Sequence, residues 1–401
     1  MFLSSFRLIR RIAYEFFLLT HIVMGIAFLV AVYAHVPNEW YQRLVWPSMF
    51  LWGLDRLVSF GRIVMVNKGW LFFTSKRVER GCIAELVSPE VVRLRVRRPM
   101  LRWQAGQHAF ITMPGVARLR YEQHPFTMAN IPDNSGDAVF LIRAQSGFTG
   151  RLVGRLTSTK EDINCYLDGP YGTPHNLNHY RGVLLVAGGT GVTHMLAHLA
   201  AIVKASRERT SVCSFVRLIW NVREEGAVGW IAPMLNVALA EGTGTVRVYV
   251  DIFATRSHLS DEPNTEEYPA FQHLGNVVTQ VDTPETPSQT PGGSSSELST
   301  LTSEEATEKR VQNENIVKSL RYGLSGPAVA TVKFHRGRSN VEILLRTDVE
   351  TVPSNWSVAV GVCGPMELML DARRAVCTVN SAGAVFKGQP PIDLYCETFG
   401  W

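Results

Sequence analysis

The chain has 401 residues, 46% of them apolar, a mean hydropathy of +0.04 and a formal charge of +5. That length suits about two or three domains and the hydropathy leaves room for a membrane part, while the charge is not gathered into a long basic run, so nucleic-acid binding gets no support. Cys82, Cys165, Cys213, Cys363, Cys377 and Cys396 are scattered, with no C-x-x-C, which excludes a metal cluster or disulfide framework and reads as reduced thiols facing the cytosol.

Residues 16–34 contain no Asp, Glu, Lys or Arg, long enough as a helix to cross about 30 Å of hydrocarbon. Arg7, Arg10 and Arg11 precede this run and place its start on the cytosolic side. A cleaved signal peptide is the competing reading, but the run is long and lacks a small-x-small cleavage site, which favours an anchor. A second apolar stretch, 44–66, is interrupted by Asp55, Arg56 and Arg62 and reads either as a second span or as an interfacial helix. His21 and His35 are about 1400° apart around a helix, nearly the same face, and about 21 Å apart along it. Such a pair suits two haem irons stacked across a bilayer, each taking one imidazole from this helix and one from a neighbour. A lone intramembrane His more often bonds to another helix; two on one face favour ligation.

After Lys68 the pattern changes to short strands rich in β-branched residues, at 82–87, 91–96, 108–113, 138–143 and 164–167, which predict an antiparallel barrel of about 100 residues. Within it, His124, Pro125, Phe126 and Thr127 follow a loop. A phenyl ring and a hydroxyl so placed suit a flat heterocycle, although a core Phe beside a turn Thr has the same appearance. Gly147, Phe148 and Thr149 precede a short helix at 152–156 whose free amides would meet phosphate. Asp168-Gly169-Pro170-Tyr171-Gly172 reads as a turn that closes the barrel.

The stretch 183–193, V-L-L-V-A-G-G-T-G-V-T, predicts a strand buried on both faces, a tight turn and an apolar helix over 194–203. Gly188, Gly189 and Gly191 remove side chains where a polyphosphate approaches, and Thr190, Val192 and Thr193 complete the turn. It is not the G-x-G-x-x-G fingerprint, so a structural β-α turn remains the alternative. Further strands follow at 216–222 and 245–252, with a helix at 234–240 between them. Arg223, just past its strand, suits a 2′-phosphate or is a solvated surface residue. A last strand at 356–362 ends in Cys363-Gly364-Pro365 before a helix at 366–376, with the Cys363 thiol expected to face the crevice. Residues 261 to about 309 are rich in Pro, Ser, Thr, Glu and Gly and predict a disordered insertion.

Taken in order, these motifs resemble the ferric reductase and NADPH oxidase superfamily, most closely the fungal ferric/cupric metalloreductases. The resemblance covers nearly the whole chain apart from the insertion. It implies transmembrane α-helices (about 12–36 and 44–66, within 1–70), then an antiparallel β-barrel FAD domain over 77–175. An α/β Rossmann-like NAD(P)-binding domain over 180–401 follows, the whole being ferredoxin-reductase-like. FAD is implied at His124–Thr127 and Gly147–Thr149, NADPH at the glycine loop, Arg223 and Cys363–Pro365, and haem b at His21 and His35. Trp401 would cover the flavin and move aside for nicotinamide, with Cys363 near the transfer locus. The implied acceptors are ferric or cupric chelates, with a superoxide-generating oxidase and a non-catalytic membrane subunit as alternatives. An integral, plasma-membrane protein in contact with lipid is implied, its FAD and NADP domains cytosolic. The family's second His pair has no match here, so the expectation is a truncated gene product, a partner that supplies the missing helix, or a chain that binds no haem.

Overall fold

The computed structural model describes residues 14–35, 39–68, 82–118, 122–156, 160–256, 303–350, 352–353, 356–386 and 388–398. The chain enters as two helices, α1 (Tyr14–His35) and α2 (Glu39–Lys68). Apolar residues cover the circumference of α1, and α2 runs unbroken through Pro47, Asp55 and Arg56. Large apolar side chains stand exposed along both, among them Phe28 at 66% and Phe50 at 67%. Among the described residues no helix is long and apolar enough to cross a membrane. His21 and His35 are both exposed on α1.

Next come the antiparallel strands β1 (Cys82–Ser88), β2 (Val91–Arg97), β3 (His108–Thr112), β4 (His124–Thr127) and β5 (Asp137–Arg143). Helix α3 (Phe148–Arg155) and strands β6 (Lys160–Asp162) and β7 (Tyr166–Tyr171) complete this half. The expected barrel is two sheets, in the orders β5-β2-β1-β6 and β4-β3-β7. Side chains close it instead of a continuous ladder: Leu94, Ile111, Phe140 and Leu167 from both sheets share one core with Phe148 and Leu152 of α3. His124–Thr127, expected to follow a loop, forms strand β4, and the strand expected at 164–167 begins at Tyr166 and continues to Tyr171.

The second half is a parallel six-stranded sheet built from β8 (Gly182–Gly188), β9 (Phe215–Val222), β10 (Arg247–Ala254), β11 (Val332–Arg336), β12 (Val358–Cys363) and β13 (Ile392–Glu397). Its order is β11-β10-β9-β8-β12-β13. Helices α4 (Val192–Arg207) and α5 (Val228–Leu239) cover one face. Between β10 and β12 come α6 (Ser303–Arg321), α7 (Pro327–Thr331) and α8 (Val341–Glu350). α8 covers the other face together with α9 (Met366–Val379). Every residue of β8 and β12 is buried, which is why both read as unbroken apolar runs in the sequence. The insertion expected at 261–309 lies outside the described residues up to 302; its last part, from Ser303, is the start of α6, a helix with Lys318 and Arg321 favourably placed in its last turn.

Candidate functional site at the domain seam

From β8 the chain proceeds outward through β9, β10 and β11, then returns to the other side of β8 as β12. The order therefore reverses between β8 and β12, and the crevice at the carboxyl ends of those strands is where an open parallel sheet binds ligands. The register pairs Ala187 with Cys363, so the glycine turn and Cys363-Gly364-Pro365 emerge side by side. They are in close contact. A Cβ on Gly191 would lie 2.3 Å from the Cys363 carbonyl oxygen, and one on Gly188 would lie 2.7 Å from Pro365 Cδ. Two of the three glycines expected to admit a polyphosphate thus serve loop packing. Gly189 is the open one, with φ +54° and nothing near its Cβ direction.

The turn is fixed by its own hydrogen bonds. The Trp220 indole N–H donates to the Gly189 carbonyl at 2.9 Å, and the Thr193 hydroxyl donates to the Thr190 carbonyl at 3.0 Å. Gly191 then opens α4 with no side-chain cap and no acidic residue in the first turn, so its amides and dipole suit an anion. Val192 and Thr193 are buried. Cys363, expected to face the crevice, is fully buried in the core with Ala187 and Val192, and burial with the nearby Glu397 pushes its thiol pKa up. It is a neutral packing group. Arg223 stands exposed at the carboxyl end of β9, its carbonyl accepting from the Arg256 N–H at 2.8 Å.

The glycine turn also touches the antiparallel half, through β5. There the other predicted segments meet as well. The His124 ring stacks on Phe148, centroids 4.5 Å apart, so the strand carrying Pro125, Phe126 and Thr127 is held against the helix start marked by Gly147 and Thr149. Glu122, which the sequence reading missed, fastens the pair: its carboxylate accepts from Arg151 of α3 at 2.7 and 2.9 Å, contacts His124 Nε2 at 3.0 Å and accepts the Arg118 N–H at 2.7 Å. Burial pushes its pKa up, but the bonds from His124, Arg118 and Arg151 outweigh it and hold Glu122 below the usual range. A glutamate two residues before His124 and an arginine four after Gly147 gave no pattern by which to find them. Gly147 has φ +72°, open space at its Cβ direction, and no side-chain cap. Like α4, α3 has no acid in its first turn. The Thr149 hydroxyl accepts the Gln145 N–H at 2.9 Å, which shapes the turn before the helix.

Thus the glycine turn joins Cys363–Pro365, and the β4 tetrad joins Gly147–Thr149. Both helix starts fit the phosphates of dinucleotide cofactors. Trp401 lies outside the described residues. Among the described residues no group of three or more His, Cys, Asp or Glu is placed to hold a metal ion.

Residues 180–377 match the family model described as the ferric reductase NAD binding domain, and residues 79–175 match an FAD-binding domain model. The chain is 26% identical to ferric/cupric reductase transmembrane component 2 of Saccharomyces cerevisiae over 90% of this chain and 44% of that protein. It is 27% identical to ferric reductase transmembrane component 4 of the same yeast, over 97% of this chain and 48% of that protein. The chain spans about half the length of these curated relatives. A ferredoxin NADP+ reductase from Neisseria gonorrhoeae is similar at 12% identity and a TM-score of 0.43, over 80% of this chain and 99% of that one.

Proposed function

Because the chain belongs to the ferric reductase superfamily, we propose that it takes electrons from NADPH onto FAD and passes them, by way of haem in a membrane, to ferric or cupric chelates. The observation that carries this reading is the meeting of the glycine turn and Cys363-Gly364-Pro365 at the sheet's reversal point, supported by a second open helix start within the antiparallel half. Bound FAD would accept a hydride from NADPH and release its electrons singly, and haem would relay them.

The chain's own groups bind and position. Gly147 and the α3 amides would hold the flavin's phosphates, while the Phe126 ring would flank the flavin and the Thr127 hydroxyl would hydrogen-bond it. Gly189, Thr190 and the α4 amides hold the pyrophosphate of NADPH, with Gly364 and Pro365 along the nicotinamide side. Arg223 takes the 2′-phosphate, and Trp401 shields the flavin until nicotinamide enters. His21 and His35 would each supply one imidazole to a haem iron, a further ligand coming from another helix.

The apolar side chains exposed from Leu19 to Met65 support burial of α1 and α2 in lipid, since water-facing patches of that extent are rare. The same reading has the protein integral to the plasma membrane, its two nucleotide-binding halves in the cytosol. Protein purified in detergent with FAD is expected to bleach at the flavin band when given NADPH without oxygen, and to recover colour on adding a ferric chelate. FAD that stays oxidised under NADPH overturns the proposal. Superoxide formed in air without anaerobic ferric reduction would make it an oxidase instead.

A further inference from the structure

Asp168-Gly169-Pro170-Tyr171, expected as a turn, is instead the second part of strand β7; it has no part in the binding roles above, yet it receives the end of α2. Arg62 donates to Asp168 at 2.9 Å and to the Tyr171 hydroxyl, its guanidinium lies 4.6 Å from the Tyr171 ring centre, and Tyr171 donates in turn to the other Asp168 oxygen at 2.9 Å. One turn on, Val66 is buried in the antiparallel core. Asn67, also buried, acts as a piece of strand. Its Nδ2 donates to the Leu167 carbonyl at 2.6 Å while its Oδ1 accepts the Leu167 N–H at 2.9 Å. Arg98 braces the same point, donating to Asn67 Oδ1 at 3.0 Å and to the Cys165 carbonyl at 2.6 Å.

Arg62 and Val66, four residues apart, share one face of α2, and Asn67 lies about 100° round the helix from Val66. The rest of that helix upstream carries exposed apolar groups, including Phe50, Leu57 and Phe60. On the reading above, the contact joins a lipid-embedded helix to the cytosolic flavin-binding half. We propose that Arg62 and Asn67 are positioning residues which lock the flavin-binding half onto the end of α2 through Asp168, Tyr171 and Leu167, and so fix the gap that electrons cross to reach the helices. The geometry stands by itself; its consequence rests on the electron-transfer reading.

The test uses the full chain in nanodiscs, with Cys377→Ser and Cys396→Ser removing the exposed thiols and spin labels at Phe60→Cys and Arg95→Cys, both exposed positions. A narrow inter-label distance distribution is expected in the parent, and a broad one after Asp168→Asn with Asn67→Ala. The exchange Arg62→Asp with Asp168→Arg should narrow it again relative to Asp168→Arg alone, which decides the matter if the first pair fails to fold. In the same samples NADPH should still bleach the flavin at the parent rate while ferric-chelate reduction falls about tenfold. A distribution that stays narrow in the first pair, or an exchange that restores nothing, overturns the lock. A parent flavin that NADPH never bleaches overturns the functional reading and leaves the distance result to decide the lock.

Discussion

At the start of α4, Gly191 has no room for a side chain because the Cys363 carbonyl lies against it, and the preceding turn is held by Trp220 and Thr193. At the start of α3, Gly147 opens onto empty space, and what holds that helix is a set of side chains farther along, Glu122, His124 and Arg151. Both helices begin on glycine without a side-chain cap, and for different reasons. Gly191 is demanded by packing, Gly147 by backbone conformation. The α/β start is therefore part of a rigid core, and the antiparallel start is a mount that its surroundings support from the side.

The hardest test of this contrast is Gly191→Ala, expected to cost about 3 kcal/mol because rigid backbone cannot yield to the added methyl, and to abolish pyridine-nucleotide binding. Gly147→Ala should cost about 1–2 kcal/mol, for φ alone. Chemical denaturation of both proteins checks the pair, and equal losses would erase the distinction. A smaller effect concerns the rest of α4. His194 and His198 are buried beneath Gly106, where burial, with nearby histidines, lowers them to about 4 and about 3. They fold as neutral rings and gain protons more readily when unfolded, so their contribution is complete above about pH 6.5 and is lost as pH falls toward the folded values. His194→Gln with His198→Gln should flatten the denaturation midpoint between pH 7 and 4.5, and an unchanged slope would refute the assignment. Smallest is Arg223→Ala at the exposed rim, expected to raise the apparent KM for NADPH about fivefold, roughly 1 kcal/mol, and that for NADH hardly at all.

The sheet strands were legible in the sequence because β8 and β12 are buried on both faces and leave unbroken apolar runs. The order of weak motifs was equally legible, and the structure pairs the glycine turn with Cys363–Pro365 and His124 with Phe148. What could not be read were partners distant in sequence. Nothing local marks Asn67 as the mate of Leu167, Glu122 as the mate of Arg151, or Arg217 as the ion-pair partner of Asp348, since each bond depends on how strands are ordered. Short or mixed strands such as Lys160–Asp162 and Val332–Arg336 escaped for a related reason, as their pairing rather than their composition makes them strands. Burial of Cys363 escaped too, because a strand's end shows no periodicity to say which way its last side chain turns.

The link between β10 and β11 contains the long polar stretch, and β11 is the outermost strand on its side, four places from β12. Chain added in that link extends the connection to an outer strand and leaves the pairing of β8 with β12 as it is. An epitope or fluorescent reporter spliced between positions 262 and 302, clear of the Arg256–Arg223 contact, should therefore leave the β8–β12 pairing intact and give a handle on the whole protein.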